Sequence, residues 1–408
     1  MFAAPETRGG GEAPVPLLQS IRAQWCTIVA RDRRPIGVRV ALRAAAGMTG
    51  AAALPQVLAA VVEGFSAGGG APFPRGLVVL APQGFAIDDA LLGWSAPRNV
   101  LLEVGIAELA ADAQVERLHQ VQRNGTRLVL RVDDGHVLNA GAASVFQYAL
   151  ADVRLRPGGL LARIGWLASG AATREEAEQA FGAGAHAIVG WPVNEAKAEA
   201  PGALHPSQTA VLELVRLLQA DAEVAELEQT FRSEPVLAYL LITLANSPAF
   251  RRGTPIGSVS QAIALLGYRR LLKWMILLLV IASKGSRTLP QIYAAVARGF
   301  FIENLALELN APEVSQDGFV IGAFSLLDRI TGMSARELLG SIELPPSISD
   351  AVLNDAGPAA PYLRLARALE GVSDPAHPAS EVPAAAPAQV NLALLQALAA
   401  TDALQSLM

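Results

Sequence analysis

At 408 residues the chain is long enough for two domains with substantial cores. Its formal charge of −5 and pI near 5.7 argue against general nucleic-acid binding, which usually needs a basic surface. The single cysteine, Cys26, excludes an internal disulfide and a cysteine-rich zinc site, and the histidines, His119, His136, His186, His205 and His377, have no HxxxH or HxH spacing.

Residues 1–20 read as a flexible tail. The opening MFAAPETRGGGEAPVP carries Glu6 and Glu12 and has no apolar core, so it lacks the features of a signal peptide, and a cytoplasmic location is expected. Residues 21–193 then alternate short β-like runs with amphipathic ones. The predicted strands are Trp25–Ala30, Gly37–Arg43, Gly76–Ala81, Val100–Gly105, Arg127–Val132, Asp152–Leu155, Leu161–Ile164 and His186–Gly190, with helical segments such as Asp112–Asn124 and Thr173–Ala183 between some of them. That alternation implies a parallel sheet, and about eight strands with crossovers suit a TIM-like barrel.

The composition shifts after the last of these strands, and residues 194–206 read as an inter-domain linker. The stretch from Pro235 to Lys284 organises the second half of the chain: a helix, PVLAYLLITLANSPAF, a short loop, RRGTPIGSV, and a long, nearly all-apolar helix, SQAIALLGYRRLLKWMILLLVIASK. A helix that apolar on every side belongs inside a bundle. Ser258 and Ser260 stand where a hydroxyl can accept from the free amides of a helix start. The apolar run from Trp274 to Ala282 falls far short of the ~20 residues that span a bilayer, so no membrane insertion is expected. In the loop, Asn246 and Ser247 can bond the end of the first helix, Pro248 cannot continue it, and Phe250 anchors the loop against the core. A Pro/Ala-rich linker over 375–389 leads to a last amphipathic helix over 390–408, which either docks back on the body or meets a partner.

The run LLITLANSPAF followed by PIGSVSQAIALLGYRRLLKW resembles the HDOD domain, an all-helical relative of the HD phosphohydrolases that lacks their metal-binding His and Asp. The resemblance extends from His205 to Ser373, and it implies an HDOD helical domain over 207–374. In FVIGAFSLLDRITGM, Leu327 stands where the HD enzymes carry His, and Asp328 is retained. One carboxylate without imidazole cannot assemble the expected metal pair, so Asp328 is read as a cap or ion-pair partner with Arg329 exposed beside it.

The first half carries a second resemblance. VARDRRPIGVRVALR, NVLLEVGIAEL, GTRLVLRVDD and AFGAGAHAIVGWP, taken in order, resemble motifs of the EAL domain, the barrel phosphodiesterase of cyclic di-GMP, from Ile21 to Pro192. Cleavage in that family needs carboxylates at several strand ends to hold divalent metals. Here Arg39 occupies the position of the signature Glu, and a guanidinium cannot ligate a metal. Leu77 to Leu80 offer no amide, Val153-Arg154-Leu155-Arg156 places a cation where a carboxylate belongs, Ala168 to Ala172 contain neither expected Glu, and Val189 replaces a Gln before Gly190. Glu103 and the pair Asp133–Asp134 survive, the pair lying two residues beyond the simple alignment at Arg131–Val132.

These acids have two readings, as ligands or as structural groups: Glu103 paired in the barrel mouth, Asp133–Asp134–Gly135 in a turn. Arg39, Arg131, Arg154 and Arg156 either pair with those acids or make a basic mouth for a phosphate-bearing ligand. No G-x-S-x-G elbow, Walker loop or G-x-G-x-x-G fingerprint is present.

The fold class expected is therefore α/β plus all-α: a degenerate EAL-type, TIM-like barrel followed by an all-helical HDOD bundle. The expected function is a non-catalytic bacterial signal-transduction protein acting as an interaction or scaffold module, with no cofactor and no metal. Other signalling proteins are the expected partners. A nucleotide second messenger bound without hydrolysis is the alternative, and a residual metal phosphodiesterase ranks below both. Candidate contact residues are Arg39, Glu103, Asp133, Asp134, Asn246, Phe250, Arg251, Arg252 and Asp328.

Overall fold

The structure, a computed structural model, describes residues 17–44, 54–67, 71–109, 111–132, 143–155, 164–195, 206–234, 237–238, 241–242, 245, 256–281, 288–332, 334–340, 345–371 and 385–405. Its first half is a closed eight-stranded barrel in sequential order: β1 (Ile21–Ala30), β2 (Pro35–Ala44), β3 (Leu77–Gln83), β4 (Val100–Gly105), β5 (Arg127–Val132), β6 (Tyr148–Asp152), β7 (Gly165–Ser169) and β8 (Ala187–Val189). β1 runs antiparallel to both β2 and β8, while β2 through β8 pair in parallel.

The side-chain alternation of a strand separates the barrel lumen from its outside. Ile28, Val79, Leu101, Val129, Leu150, Leu167, Ala187 and Val189 form one apolar cluster that fills the lumen. Their neighbours Leu80, Leu102, Leu128, Leu130 and Ile188 belong to the larger outer core, on which helices α1 (Leu54–Ser66), α2 (Asp112–Arg123) and α3 (Arg174–Gly182) also lie.

The barrel expectation holds, but two strands sit elsewhere than predicted. Residues Asp152–Leu155 do not form the sixth strand; it ends at Asp152. The Asp152 side chain accepts from Arg154 N at 3.0 Å while its carbonyl accepts from Leu155 N at 2.8 Å, a local turn that stops the ladder. The seventh strand is Gly165–Ser169, where Leu167 fills the lumen in register with Leu150; of the predicted Leu161–Ile164, residues 161–163 lie outside the described residues.

The second half is helical: α4 (Pro206–Gln219), α5 (Val224–Ser233), α6 (Val259–Ile281), α7 (Leu289–Glu308), α8 (Pro312–Ser315), α9 (Gly318–Phe324), α10 (Leu327–Thr331), α11 (Ala335–Gly340), α12 (Pro346–Leu353), α13 (Ala360–Leu369) and α14 (Pro387–Gln405). No helix among the described residues is long and apolar enough to cross a membrane. Ser258 caps α6 as expected, its Oγ accepting from Gln261 N at 3.2 Å. The single long helix predicted here is in fact broken at Gly267, whose φ of 72° and ψ of 160° are open to glycine alone. The turn directs Leu271 and Met275 inward, both fully buried.

At the centre lies α7, buried along nearly its whole length. It meets α9 so closely that a Cβ on Gly322 would stand 2.2 Å from the Gly299 amide nitrogen. Its other faces meet α13, α14 and the β1–β2 hairpin.

The C-terminal helix α14 docks back on the body. It lies between α7 and α1 and reaches the outside of β1. Asn391, 2% exposed, accepts from Ala23 N at 3.0 Å and donates to Leu18 O and Ile21 O at 2.8 and 2.9 Å. Asp402 accepts from Arg75 N at 2.7 Å and Gly76 N at 3.1 Å, just before β3. Replacing Asn391 with Ala leaves these buried groups unpaired and should destabilise the protein by about 2–4 kcal/mol. Hydrogen exchange should show the Ala23 amide deprotected in that variant, and an unchanged exchange rate would mean that the strap bears no such load.

Candidate functional site

The strands of the barrel deliver their inward side chains to one open mouth. β1 contributes Cys26, β2 Arg39, β4 Glu103, β5 Arg131, β6 Asp152 and β7 Ser169. Cys26, Arg39, Arg131, Asp152, Arg154 and Ser169 line a cavity of about 820 Å³ there.

At its base, Glu103 is 1% exposed at the side chain and receives both arms of Arg39: Nε to Oε2 at 2.6 Å and Nη2 to Oε1 at 2.8 Å. Arg131 Nη1 lies 3.5 Å from the same Oε1. A planar fork against a carboxylate is the strongest pairing that these groups can make. Closer to solvent, Arg154 grips Asp152 in a second fork, at 2.7 and 2.8 Å.

Burial opposes the charge of Arg39, but the bond and the charge of Glu103 together offset it and hold the guanidinium more firmly protonated than usual. The thiol of Cys26 is pushed up to about 11 by burial, against the partial opposition of Arg39. Burial also raises the carboxyl of Glu108, whose Oε1 accepts from Gly105 N at 3.3 Å. The Arg154 bond lowers the carboxyl of Asp152.

Of the residues predicted from sequence, the mouth unites Arg39 and Glu103, with Arg131 beside them. Asp133, Asp134 and Arg156 lie outside the described residues, as do Asn246, Phe250, Arg251 and Arg252. Among the described residues, no group of three His, Cys, Asp or Glu side chains gathers where a metal could sit. Asp328 is elsewhere, in the helical half, paired with Arg329, which is half-buried rather than exposed.

Two features escape the sequence reading. Asp152 stands at the end of β6, so a carboxylate occupies the strand end that the alignment gave to Arg154. Its signal is the Asx-type turn just after an apolar run, YALAD. The second is a buried ionic cluster around Arg298 and Glu370, which form a bidentate pair at 2.5 and 2.6 Å. Arg298 announces itself as a lone charge within the apolar run IYAAVARGFFI.

The HDOD domain family model matches residues 204–324. This segment is an HDOD domain. The match spans α4 through α9, including the kink at Gly267 and the glycine contact of α7 with α9. Among curated proteins, the cyclic di-GMP phosphodiesterase CdgJ of Vibrio cholerae is 24% identical over 207 residues, which cover 50% of this chain and 48% of that protein. An uncharacterized protein of Bacillus subtilis, YuxH, is 24% identical over 209 residues, covering 50% of this chain and 51% of its own. The chain thus spans about half the length of the curated relatives it matches. Among solved structures, the Bacillus subtilis YkuI protein, with an EAL domain and in complex with c-di-GMP and calcium, aligns over 63% of this chain and 74% of its own, with 13% identity and a TM-score of 0.32.

Removing Glu103 strands the buried cation of Arg39. Glu103→Ala should cost about 3–5 kcal/mol, and the double change Arg39→Met with Glu103→Leu should recover most of it, as read by urea unfolding. Cys26 gives a second check. The unfolded thiol releases its proton near 9.0 and the folded one only near 11, so the resulting stability is intact below about pH 9 and lost as pH rises through about 11. At pH 8, its alkylation by iodoacetamide should run about a hundredfold slower in the native protein than in the urea-unfolded chain.

Proposed function

We infer that this chain is a non-catalytic signalling protein linked to cyclic di-GMP, with a barrel that serves as a rigid platform and an HDOD half that recruits other proteins. The observation that carries this reading is the Arg39–Glu103 fork: both oxygens of the one fully buried mouth carboxylate among the described residues already face a guanidinium. A divalent ion placed there would meet the charge of Arg39 at 2.6–2.8 Å from the oxygens it needs, with Arg131 beyond. The described residues therefore do not fit the metal centre that an EAL-type phosphodiesterase needs, and no hydrolytic step is assigned to them. The phosphodiesterase named among the relatives supports the pathway, and the HDOD domain supports the interaction role.

A second reading has its own support. The mouth remains open above the fork, and Arg131 and Arg154, with side chains 35% and 82% exposed, face a space large enough for a nucleotide. The barrel would then bind a cyclic dinucleotide and leave it intact.

Calorimetric titration of the whole protein with cyclic di-GMP, with and without Mn²⁺, separates these readings when the mixtures are then assayed for linear product. No heat and no product is the expected result. Saturable heat without product would move the assignment to the sensor. Metal-dependent turnover would overturn both.

A further inference from the structure

A second cavity, of about 500 Å³, lies where the barrel meets the helical half. Asn194, which follows β8, and Gln24 of β1 wall it on the barrel side; α7, α10 and α13 supply its charged residues or their neighbours, and α9, α11 and α12 add Phe324, Ala335 and Val352. Its charges form a connected set. Arg298 of α7, 2% exposed, is bound bidentately by Glu370, and its remaining contacts are Ser325 Oγ at 2.9 Å and Asn194 Oδ1 at 3.0 Å. Arg329 pairs with Asp328 and donates from Nε to Asn194 O at 3.0 Å. Each of these cations is matched by a carboxylate.

Arg367 is not. It projects from α13 into the same cavity, and its side chain forms no ion pair or hydrogen bond among the described residues. Counting the lining charges, three arginines face two acids, which leaves one positive charge in a partly enclosed space. Burial and the nearby Arg298 both work against this cation, and the charges of Asp355, Glu370 and Asp328 offset them only in part. A guanidinium held in such a place, with its fork uncommitted, is built to receive an oxyanion, and the planar fork matches phosphate oxygens two at a time.

We propose that this junction cavity is a binding site for a small phosphate-bearing molecule of about mononucleotide size, with Arg367 as its principal contact and the Arg298–Glu370 and Arg329–Asp328 pairs as its fixed frame. A ligand there touches both halves of the protein at once. Through Asn194, which accepts from Arg298 by its side chain and from Arg329 by its carbonyl, occupancy would be felt at the end of the barrel.

The test is calorimetric titration of the full-length protein with inorganic phosphate and with adenosine 5′-monophosphate, using malonate as a carboxylate control. Saturable binding of both phosphate probes is expected, with malonate weaker by about tenfold or more. Arg367→Met should weaken phosphate binding at least about tenfold with little change in Tm, because the side chain makes no hydrogen bond or ion pair that the substitution would remove and Met keeps an apolar stem. Arg367→Lys, which keeps the charge but not the fork, should fall between the two. Arg131→Ala, in the barrel mouth, should have no effect on this binding. The absence of saturable heat up to roughly 10 mM would overturn the proposal. So would wild-type affinity in both Arg367 variants, preference for malonate, or loss of binding in Arg131→Ala.

Discussion

The architecture depends on covering one apolar surface, the outer face of the β1–β2 hairpin. Ile21, Ala23 and Trp25 point out of the barrel and are buried, and the helices that bury them are α7 and α14, drawn from the second half and the end of the chain. Trp25 meets the ring of Tyr293 at 6.1 Å between centroids, and Asn391 satisfies the backbone around it. Burying such surface is worth about 25 cal/mol per Å², so a barrel stripped of these helices would expose a face that water disfavours strongly. The two halves share a core and act as one body.

Within that body, electrostatics rather than shape defines the mouth. A carboxylate as enclosed as Glu103 needs a partner, and a metal or a guanidinium can fill that role. The chain supplies Arg39, from a neighbouring region of the same barrel. Once the fork has closed, the two groups satisfy each other, which explains how an acid can remain buried at this strand end. The junction cavity obeys similar rules, with Arg298 and Glu370 as its matched pair.

Much of this was legible in the residues. The alternation of strands and helices announced a barrel, and two of the eight strands, Val100–Gly105 and Arg127–Val132, match their predicted bounds, because each is an apolar run ended by a change of composition. The pairing of Arg39 with Glu103 was foreseeable as one of two uses of a basic mouth. The end of β6 was not, since Val153 and Leu155 look as strand-like as the residues before them, and the strand ends in a local turn in which Asp152 accepts from Arg154 N and Leu155 N. The break in α6 was equally hidden: a glycine inside an apolar run is tolerated by a helix, and tertiary packing decides whether the chain turns there. The pair Arg298–Glu370 joins positions 72 residues apart, a distance across which no local pattern can speak.

The bond from Asn391 to the carbonyl of Ile21 closes a loop of 370 positions. On the ribosome, the outer face of the first strand of the barrel must therefore wait for 370 further positions to be made before Asn391 can cover it. Synthesis at about 5–20 residues per second makes that interval roughly 20–70 seconds, during which the hairpin is exposed to any chaperone that recognises apolar strands.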